Sequence, residues 1–450
     1  MPRVLAAPLA ILVLLLAGGL ARAQTAVPPI DFQQRVLPNG LKVITALDRS
    51  TPNVTVQVWY GVGAKNDPPG RSGFAHMFEH MMFKATRDMP AEYMDRLTED
   101  VGGMNNAFTQ DDTTAFYEVI PAADLQRLLW AESERMSTLV VDKANFDSER
   151  QVVEEELRLR VENSPIGKAL KAELAQAYTV HPYMVSAAGE KKDLDTITPA
   201  DCQKFYDTYY RPNNAALIVV GDTDEAAVKS LAEKYFGPLQ KGPPVVHDAP
   251  KEPPQTAERD KTLEMPVQLP VIIGGYHIPA GDSPDLFPLE VLQKILSGGE
   301  SSRLHQRLVR KDKTAVAAGG FVFAHEDPGL FLTFALYLPN MDVEKLKSAL
   351  DEEIARVTTT KVDARELQKA KNQLAAQAVY QRERVSGLAS NIGVDWVVTH
   401  VPARPFTSAA KFDAVTADDV LRVAKKYLVK TNLSMLTLVP AKPAAGKGAK

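Results

Sequence analysis

The segment His76-Met77-Phe78-Glu79-His80 holds the residues best suited to chemistry. No helix breaker occurs from 74 to 83, so a helix is predicted there, with Ser72 as its N-cap. Positions i and i+4 project from one face of a helix, which lets His76 and His80 direct their imidazoles at one metal ion. Glu79 lies on the same face and could act as general base on a water molecule that the metal activates.

The alternative for this segment is two helix histidines beside a surface glutamate. The chain has only eight histidines, yet two of them fall within five positions. The residues around them are mostly Phe and Met, which predicts a buried helix, and a buried glutamate with two histidines needs a partner. A metal ion is the simplest such partner.

A catalytic zinc site of this kind takes three protein ligands and leaves one position for water. His181 and His277 could supply the third ligand, and so could the acidic stretch at 149–156. There, Glu149 and Glu156 stand seven positions apart and would share a helix face, whereas Glu154 and Glu155 would point elsewhere. Spacing alone fits a solvated acidic face equally well, so the third ligand stays open at this point.

Composition excludes several other classes of protein. The 450 residues are 45% hydrophobic and 24% charged, as in ordinary globular proteins and unlike collagens, coiled coils or disordered chains. A single cysteine, Cys202, rules out an intramolecular disulfide and any metal site built from cysteines. A formal charge of −4 gives no electrostatic reason to expect nucleic acid as a partner.

The N-terminus predicts export. Arg3 precedes an apolar run at 4–16, and Ala21-Arg22-Ala23 follows, which is the pattern of a secretory signal peptide cleaved after Ala23. A membrane anchor is the alternative, but Pro8 and two glycines interrupt the run, and a span needs about 20 apolar residues. We expect a periplasmic protein that has no membrane association after cleavage.

The remaining chain divides into two halves of related pattern. Five prolines between 242 and 256 predict an extended linker. A constant shift of 218 positions relates a Thr-capped helix and the apolar strand after it at 197–220 to a similar unit at 415–439, which favours a duplicated domain over chance similarity. The predicted organisation is a signal peptide (1–23), an N-terminal domain (24–241), the linker (242–256), a C-terminal domain (257–440) and a disordered tail (441–450).

Strand and helix patterns alternate within each half. Runs rich in β-branched and aromatic residues predict strands at 54–62, 116–120, 217–220, 271–277 and 330–338. Helical periodicity marks 124–136, 149–161, 343–357 and 367–379. The predicted class is α+β, in which two homologous domains each contain a mixed β-sheet covered by helices.

The sequence resembles the pitrilysin/insulinase family of zinc metallopeptidases. HxxEH is the inverted form of the HExxH zincin motif and is the signature of that group. The family has a glutamate ligand 76 residues beyond the second histidine, which corresponds to Glu156, and a supporting glutamate seven residues earlier, which corresponds to Glu149. The stretches at 102–109, 181–183, 210–214, 219–222 and 301–304 resemble further family landmarks.

This resemblance implies duplicated ferredoxin-like domains, with one Zn2+ per chain in the N-terminal domain and a metal-free C-terminal domain. The implied function is zinc-dependent endopeptidase activity on peptides or unfolded segments, with Glu79 as general base and Glu149 in a supporting catalytic role. The peptide would add as a strand to a sheet edge. The residues expected to bind substrate are Asn106, Ala107, Phe108, Thr109 and Arg310.

The chain departs from the family pattern at one position. In members with a full active site, a tyrosine follows the substrate-binding arginine by seven residues, but Ala317 stands seven residues after Arg310. Family members enclose a chamber with four such domains, and this chain supplies two. We therefore predict a dimer, preferably with a related chain that contributes an Arg/Tyr pair. Alternatives are a non-catalytic or chaperone-like subunit and a peptidase that processes one precursor.

Overall fold

The computed structural model describes residues 32–246 and 249–441. The predicted signal peptide and, apart from Ala441, the predicted tail lie outside these residues. No helix in the described ranges is long and apolar enough to cross a membrane.

Eleven described strands form two sheets. Their bounds are β1 Phe32–Val36, β2 Lys42–Leu47, β3 Asn53–Tyr60, β4 Met104–Thr109, β5 Thr114–Pro121, β6 Ala215–Gly221, β7 Arg259–Met265, β8 Val271–His277, β9 Ala317–Phe323, β10 Leu330–Leu336 and β11 Leu433–Pro440.

Helices cover the sheets and connect the strands. Their bounds are α1 Phe74–Met81, α2 Tyr93–Glu99, α3 Leu125–Ser137, α4 Lys143–Leu157, α5 Pro165–Ala177, α6 Lys191–Leu194, α7 Pro199–Tyr209, α8 Glu225–Tyr235, α9 Leu286–Ser297, α10 Val343–Thr359, α11 Ala364–Arg382, α12 Val385–Val398, α13 Arg404–Ala414 and α14 Ala417–Tyr427. Short π-helical turns follow α4 at Arg158–Glu162 and occupy His305–Lys311.

The two sheets share one topology. The first has the order β1-β2-β6-β3-β5-β4, and the second has the order β7-β11-β8-β10-β9. In each, a single parallel pair, β2–β6 or β7–β11, joins otherwise antiparallel strands. The first sheet adds only the edge strand β1. The predicted α+β class with two homologous mixed sheets is confirmed.

The duplication extends to individual hydrogen bonds. Helix α7 begins with a capping box between Thr198 and Asp201, and α14 begins with the same box at the equivalent positions. After α7, the Nδ2 atom of Asn214 donates to the carbonyl oxygen of Tyr209 at 2.9 Å, and after α14 the corresponding asparagine makes the same bond at 2.8 Å. Capping boxes satisfy backbone donors at a helix start, so both copies form from local sequence.

Each sheet buries one face under helices of its own half and the other under a helix of the opposite half. In β3, Val54, Val56 and Val58 face the N-terminal core. The alternate residues face α12, where Trp59 packs so tightly that a Cβ atom on Gly393 would lie 2.0 Å from its ring. The neighbouring central strand β6 has every residue buried, and a strand buried on both faces requires cover on both sides of the sheet.

The second sheet is covered in the reciprocal way by α5. Ala169 and Ala177 of this helix share a hydrophobic cluster with Val271 and Ile273 of β8. The chain has no regular secondary structure at 241–246 and 249–256. The division into domains at 242–256 stays a prediction, because each half contributes a helix to the opposite sheet.

Candidate metal centre

Helix α1 begins where a carboxylate from the preceding loop meets its first backbone amides. The side chain of Asp67 accepts hydrogen bonds from the amides of Gly73 at 2.7 Å, Phe74 at 3.2 Å and Ala75 at 2.8 Å. The prediction that Ser72 caps this helix is wrong, since its hydroxyl instead donates to Asp193 at 2.6 Å. A carboxylate satisfies several orphan donors at once and also complements the positive end of the helix dipole.

Helix α1 lies between the N-terminal hydrophobic core and a cleft. Met77, Phe78 and Met81 are buried in the N-terminal core. Helix α1 packs against α4 and the edge strand β4, and His76 and His80 line the cleft between these elements. The i, i+4 spacing therefore presents both imidazoles on one side, as predicted.

Three potential ligands converge in the cleft. One ligand atom from each of His76, His80 and Glu156 lies within 4.8 Å of the other two, and no other such group occurs in the described part of the chain. The Oε1 atom of Glu156 lies 3.7 Å from Nε2 of His76, and its Oε2 atom lies 3.3 Å from Nε2 of His80. Of the acidic residues at 149–156, Glu156 is therefore the one whose carboxylate joins the two imidazoles.

This donor set fits zinc. Ligands at 2.0–2.1 Å in tetrahedral geometry are about 3.3 Å apart, close to the two imidazole–carboxylate separations here. Two neutral imidazoles and one carboxylate are ligands that zinc accepts in catalytic sites. Zinc-bound histidines usually donate their second N–H to an acceptor, and Nδ1 of His80 lies 3.5 Å from Oε2 of Glu149. The Nδ1 atom of His76 is buried and has no hydrogen-bond partner among the described residues.

Glu79 faces the same cleft without joining the ligand group. Its Oε2 atom accepts a hydrogen bond of 2.6 Å from the hydroxyl of Thr109, the last residue of β4. Burial raises the pKa of Glu79, and the Thr109 hydroxyl partly opposes that shift. Asn106, Ala107 and Phe108 line the cleft on the same edge strand, whose outer side pairs with no described strand.

The pKa values of the two histidines shift in opposite directions. Burial lowers the pKa of His76 to about 4, with help from the neighbouring His80 ring. Burial acts in the same direction on His80, but the bond to Glu149 and the nearby carboxylates outweigh it and raise the pKa. Burial would likewise raise the pKa of Glu149, yet His80 and Lys84 lower it. His76 is therefore held neutral, as a metal ligand must be.

Two basic residues of the cleft were not predicted from the sequence. The Nζ atom of Lys84 lies 2.7 Å from Oε1 of Glu149, and an Nη atom of Arg160 lies 2.7 Å from Oε1 of Glu156. Arg160 stands four residues after its partner Glu156, and that spacing, which pairs side chains on a helix, is the signal that could have revealed it. Lys84 follows the end of α1 and pairs with a residue of α4, so no local spacing pointed to it. The cleft has a volume of about 330 Å³ and is lined by His76, Glu79, His80, Phe83, Lys84, Asn106, Ala107, Phe108, Thr109, Glu149, Glu156 and Arg160.

The other candidate metal ligands and the candidate substrate-binding residue Arg310 lie outside the cleft. His181 lies 3.4 Å from Asp327, and the Nε2 atom of His277 is 2.9 Å from a backbone carbonyl oxygen, so neither reaches the cleft. Glu154 and Glu155 pair with Lys191 and Arg158. Arg310 is in the second half, exposed and paired with Glu300 at 2.9 Å, and is not among the residues that line the cleft.

Comparisons with known proteins cover both halves of the chain. The family model described as insulinase (peptidase family M16) matches residues 42–186, and the one described as peptidase M16 inactive domain matches residues 196–374. The latter match covers most of the half that lacks the HxxEH motif.

Individual relatives match over nearly the whole length. The zinc protease PqqE of Helicobacter pylori is 32% identical over 427 residues, which are 94% of this chain and 96% of the relative. A probable mitochondrial-processing peptidase subunit beta of Arabidopsis thaliana is 25% identical over 90% of this chain and 77% of its own length. The crystal structure of a protease from Helicobacter pylori aligns with a TM-score of 0.87 at 32% identity, over 92% of this chain and 100% of that one. Matches of this identity and coverage show that the chain belongs to the insulinase family, peptidase family M16.

Proposed function

We propose that this protein is a zinc-dependent endopeptidase that hydrolyses peptides or unfolded segments. The observation that carries the proposal is the convergence of one ligand atom each from His76, His80 and Glu156 within 4.8 Å, with the Glu79 carboxyl group in the same cleft. Relatives named zinc proteases support the choice of metal and of reaction.

When bound, one zinc ion per chain supplies a Lewis acid that polarises the scissile carbonyl and lowers the pKa of water. His76, His80 and Glu156 hold the ion. Glu149 orients the His80 ring through Nδ1 and is itself held by Lys84. A supporting partner of this kind fixes the tautomer and the direction of a ligand.

Glu79 is the proposed general base. Its Oε2 atom is occupied by the Thr109 hydroxyl, so Oε1 takes the proton from the attacking water and later delivers it to the leaving amine. Burial raises the pKa of this carboxyl group, which brings its basicity closer to that required at neutral pH.

The substrate is proposed to add as a strand to the free edge of β4. Asn106, Ala107 and Phe108 offer backbone groups beside Glu79, and hydrogen bonds to a peptide main chain do not read its sequence. Loose sequence preference and a requirement for extended substrates follow from this mode of binding.

The active form is proposed to be a dimer, preferably with a related chain that supplies an Arg/Tyr pair. Arg310 lies outside the cleft of its own chain, and Ala317 has no phenol to offer a developing oxyanion. One relative is named as a subunit of a processing peptidase. Full-rate hydrolysis by a monodisperse single chain loaded with zinc would refute the requirement for a partner.

Export to the periplasm is proposed from the N-terminal sequence. Edman sequencing of the mature protein from the periplasmic fraction should begin at Gln24, directly after the Ala21-Arg22-Ala23 site. Recovery of a protein that retains residues 1–23 in the membrane fraction would instead support the anchor alternative.

The decisive experiment compares Glu79→Gln, Glu156→Ala and Glu155→Ala. Glu79→Gln should keep zinc and abolish peptide hydrolysis, while Glu156→Ala should lose zinc. Glu155→Ala is the matched control, because Glu155 is the adjacent carboxylate and pairs with exposed Arg158 outside the cleft. Metal content is measured by atomic emission and turnover with a quenched fluorescent peptide, with and without chelator. Undiminished turnover by Glu79→Gln would contradict the role assigned to it.

The same experiment tests the alternative of a non-catalytic or chaperone-like subunit. The match of the second half to a domain described as inactive keeps this alternative relevant. Wild-type protein that binds zinc but cleaves no peptide, alone or with a related chain, would support that reading and refute the endopeptidase.

A further inference from the structure

The two oxygens of Glu156 have different neighbours. Oε1 receives an Nη donor of Arg160 at 2.7 Å and lies 3.7 Å from Nε2 of His76, whereas Oε2 lies closer to an imidazole, 3.3 Å from Nε2 of His80. Arg160 also lines the cleft, although its side chain is 77% exposed. The reaction proposed above makes no use of this arginine.

The backbone that carries Arg160 changes its helical form after the ligand. Helix α4 ends at Leu157, and the π-helical turn Arg158–Glu162 follows. Such turns insert a residue into the helical repeat and often occur at functional sites. Arg158, on the same turn, pairs with Glu155 at 2.8 Å outside the cleft, so only the second arginine reaches a proposed ligand.

We propose that Arg160 is a positioning residue for the third metal ligand. Its guanidinium group engages Oε1, so that Glu156 offers only Oε2 to the ion and the fourth coordination position stays open for water. This inference rests on the proposed function, because it assigns a role at the same metal centre.

The chemical reason for this role is that a carboxylate can bind a metal ion in two ways. It can bind through one oxygen or through both, and binding through both fills a position that a catalytic zinc site must leave free. A charged hydrogen-bond donor on one oxygen competes with the metal for that oxygen and favours binding through the other. Partners of this kind orient the ligands they contact.

The test uses three variants at two neighbouring positions. Arg160→Gln removes the charge, Arg160→Lys keeps a single cationic donor, and Arg158→Gln is the matched control on the same turn. Zinc dissociation constants come from competition with a chromophoric chelator. The visible spectrum of the Co2+-substituted protein reports coordination number, since four-coordinate Co2+ absorbs more strongly than five-coordinate Co2+.

We expect Arg160→Gln to weaken zinc binding by about 10- to 100-fold, the usual effect of losing a partner of a metal ligand. Its Co2+ spectrum should lose intensity as Glu156 binds through both oxygens. Arg160→Lys should restore most of both properties, and Arg158→Gln should match the wild type. Circular dichroism of each metal-free variant should match the wild type, because both arginines are exposed.

Wild-type affinity and an unchanged Co2+ spectrum in Arg160→Gln would overturn this inference and leave the proposed function intact. An equal loss in Arg158→Gln would also overturn it, because the effect would then be one of general charge. A wild-type protein that binds neither zinc nor Co2+ would overturn both the inference and the proposed function.

Discussion

The buried ammonium group of Lys65 connects the two halves of the molecule. Lys65 lies in the loop before α1, and its side chain is only 2% exposed. Its Nζ atom contacts Asp112 at 2.8 Å and Asp327 at 3.5 Å, and it also pairs with Glu326. Asp112 belongs to the β4–β5 turn of the first half, and the other two belong to the β9–β10 turn of the second.

The informative perturbation is Lys65→Met, which keeps the length of the side chain and removes its charge. Asp112 is 4% exposed; it would keep Tyr183, His325 and the backbone amide of Glu326 as partners but would lose the ammonium charge beside it. Removing one partner of a buried ion pair costs about 3–5 kcal/mol, because the remaining charge stays desolvated. We expect the free energy of unfolding to fall by about that amount.

The assay is urea denaturation followed by tryptophan fluorescence, with Lys143→Met as the control. Lys143 makes an ion pair with Asp147 on the surface, where its side chain is 81% exposed, and pairs of that kind contribute little. The control should therefore unfold like the wild type. Equal urea midpoints for Lys65→Met and Lys143→Met would refute the reasoning.

Lowering the pH should reduce the difference between Lys65→Met and the wild type. Burial alone would raise the pKa of Asp112, but the hydrogen bond to His325 and the charge of Lys65 reverse this and hold the pKa well below its usual range. A depressed carboxyl pKa stabilises the fold above the unfolded value of about 3.9, and this contribution is lost as the pH falls through the folded value. A difference that stays constant as the pH falls from 7 to about 2 would contradict this assignment.

Two further predictions concern the helix exchange and the general base. Gly393→Ala should destabilise the protein by about 1–3 kcal/mol in urea denaturation, because the added Cβ atom would lie 2.0 Å from the Trp59 ring. The control Asn391→Ala, on the same helix, should keep wild-type stability. A Gly393→Ala protein of wild-type stability would disprove the tight contact. Thr109→Val should lower kcat by about 10- to 150-fold without changing zinc affinity, because a hydrogen bond to a charged group contributes about 1.5–3 kcal/mol and about 1.4 kcal/mol corresponds to a factor of ten. Thr109→Ser should recover the activity, and an unaffected kcat in Thr109→Val would exclude a role in holding Glu79.

Several features of the fold were predictable because they depend on short stretches of chain. The predicted strand at 271–277 coincides with β8, and the predicted strand at 54–62 overlaps β3 with small shifts at its ends. The strand and helix of each repeat unit, with their threonine caps, also agree with the prediction. Alternation and capping act over a few residues, so these elements can be identified without knowledge of their neighbours.

Predictions about helix ends were less accurate, because distant residues take part there. Ser72 has the right residue type and position for an N-cap, but Asp67 reaches the free amides of α1 from the preceding loop. The helix predicted at 149–161 begins earlier, at Lys143, where Asp142 caps it, and becomes a π-helical turn after Leu157. Which side chain satisfies a helix end depends on the path of the loop, and local patterns do not specify that path.

The primary structure alone determined that His76, Glu79 and His80 share one side of a helix, because 3.6 residues per turn make that geometry unavoidable. It also determined the duplicated strand and helix pattern of the two halves. Tertiary structure decided which acidic residue meets the two imidazoles: Glu156 enters the cleft, while Glu154 and Glu155 pair with cations outside it. It also decided that α5 of the first half covers the second sheet and that α12 of the second half covers the first sheet. Such contacts join residues far apart in the chain, so they follow from the packing of the whole core and not from any local period.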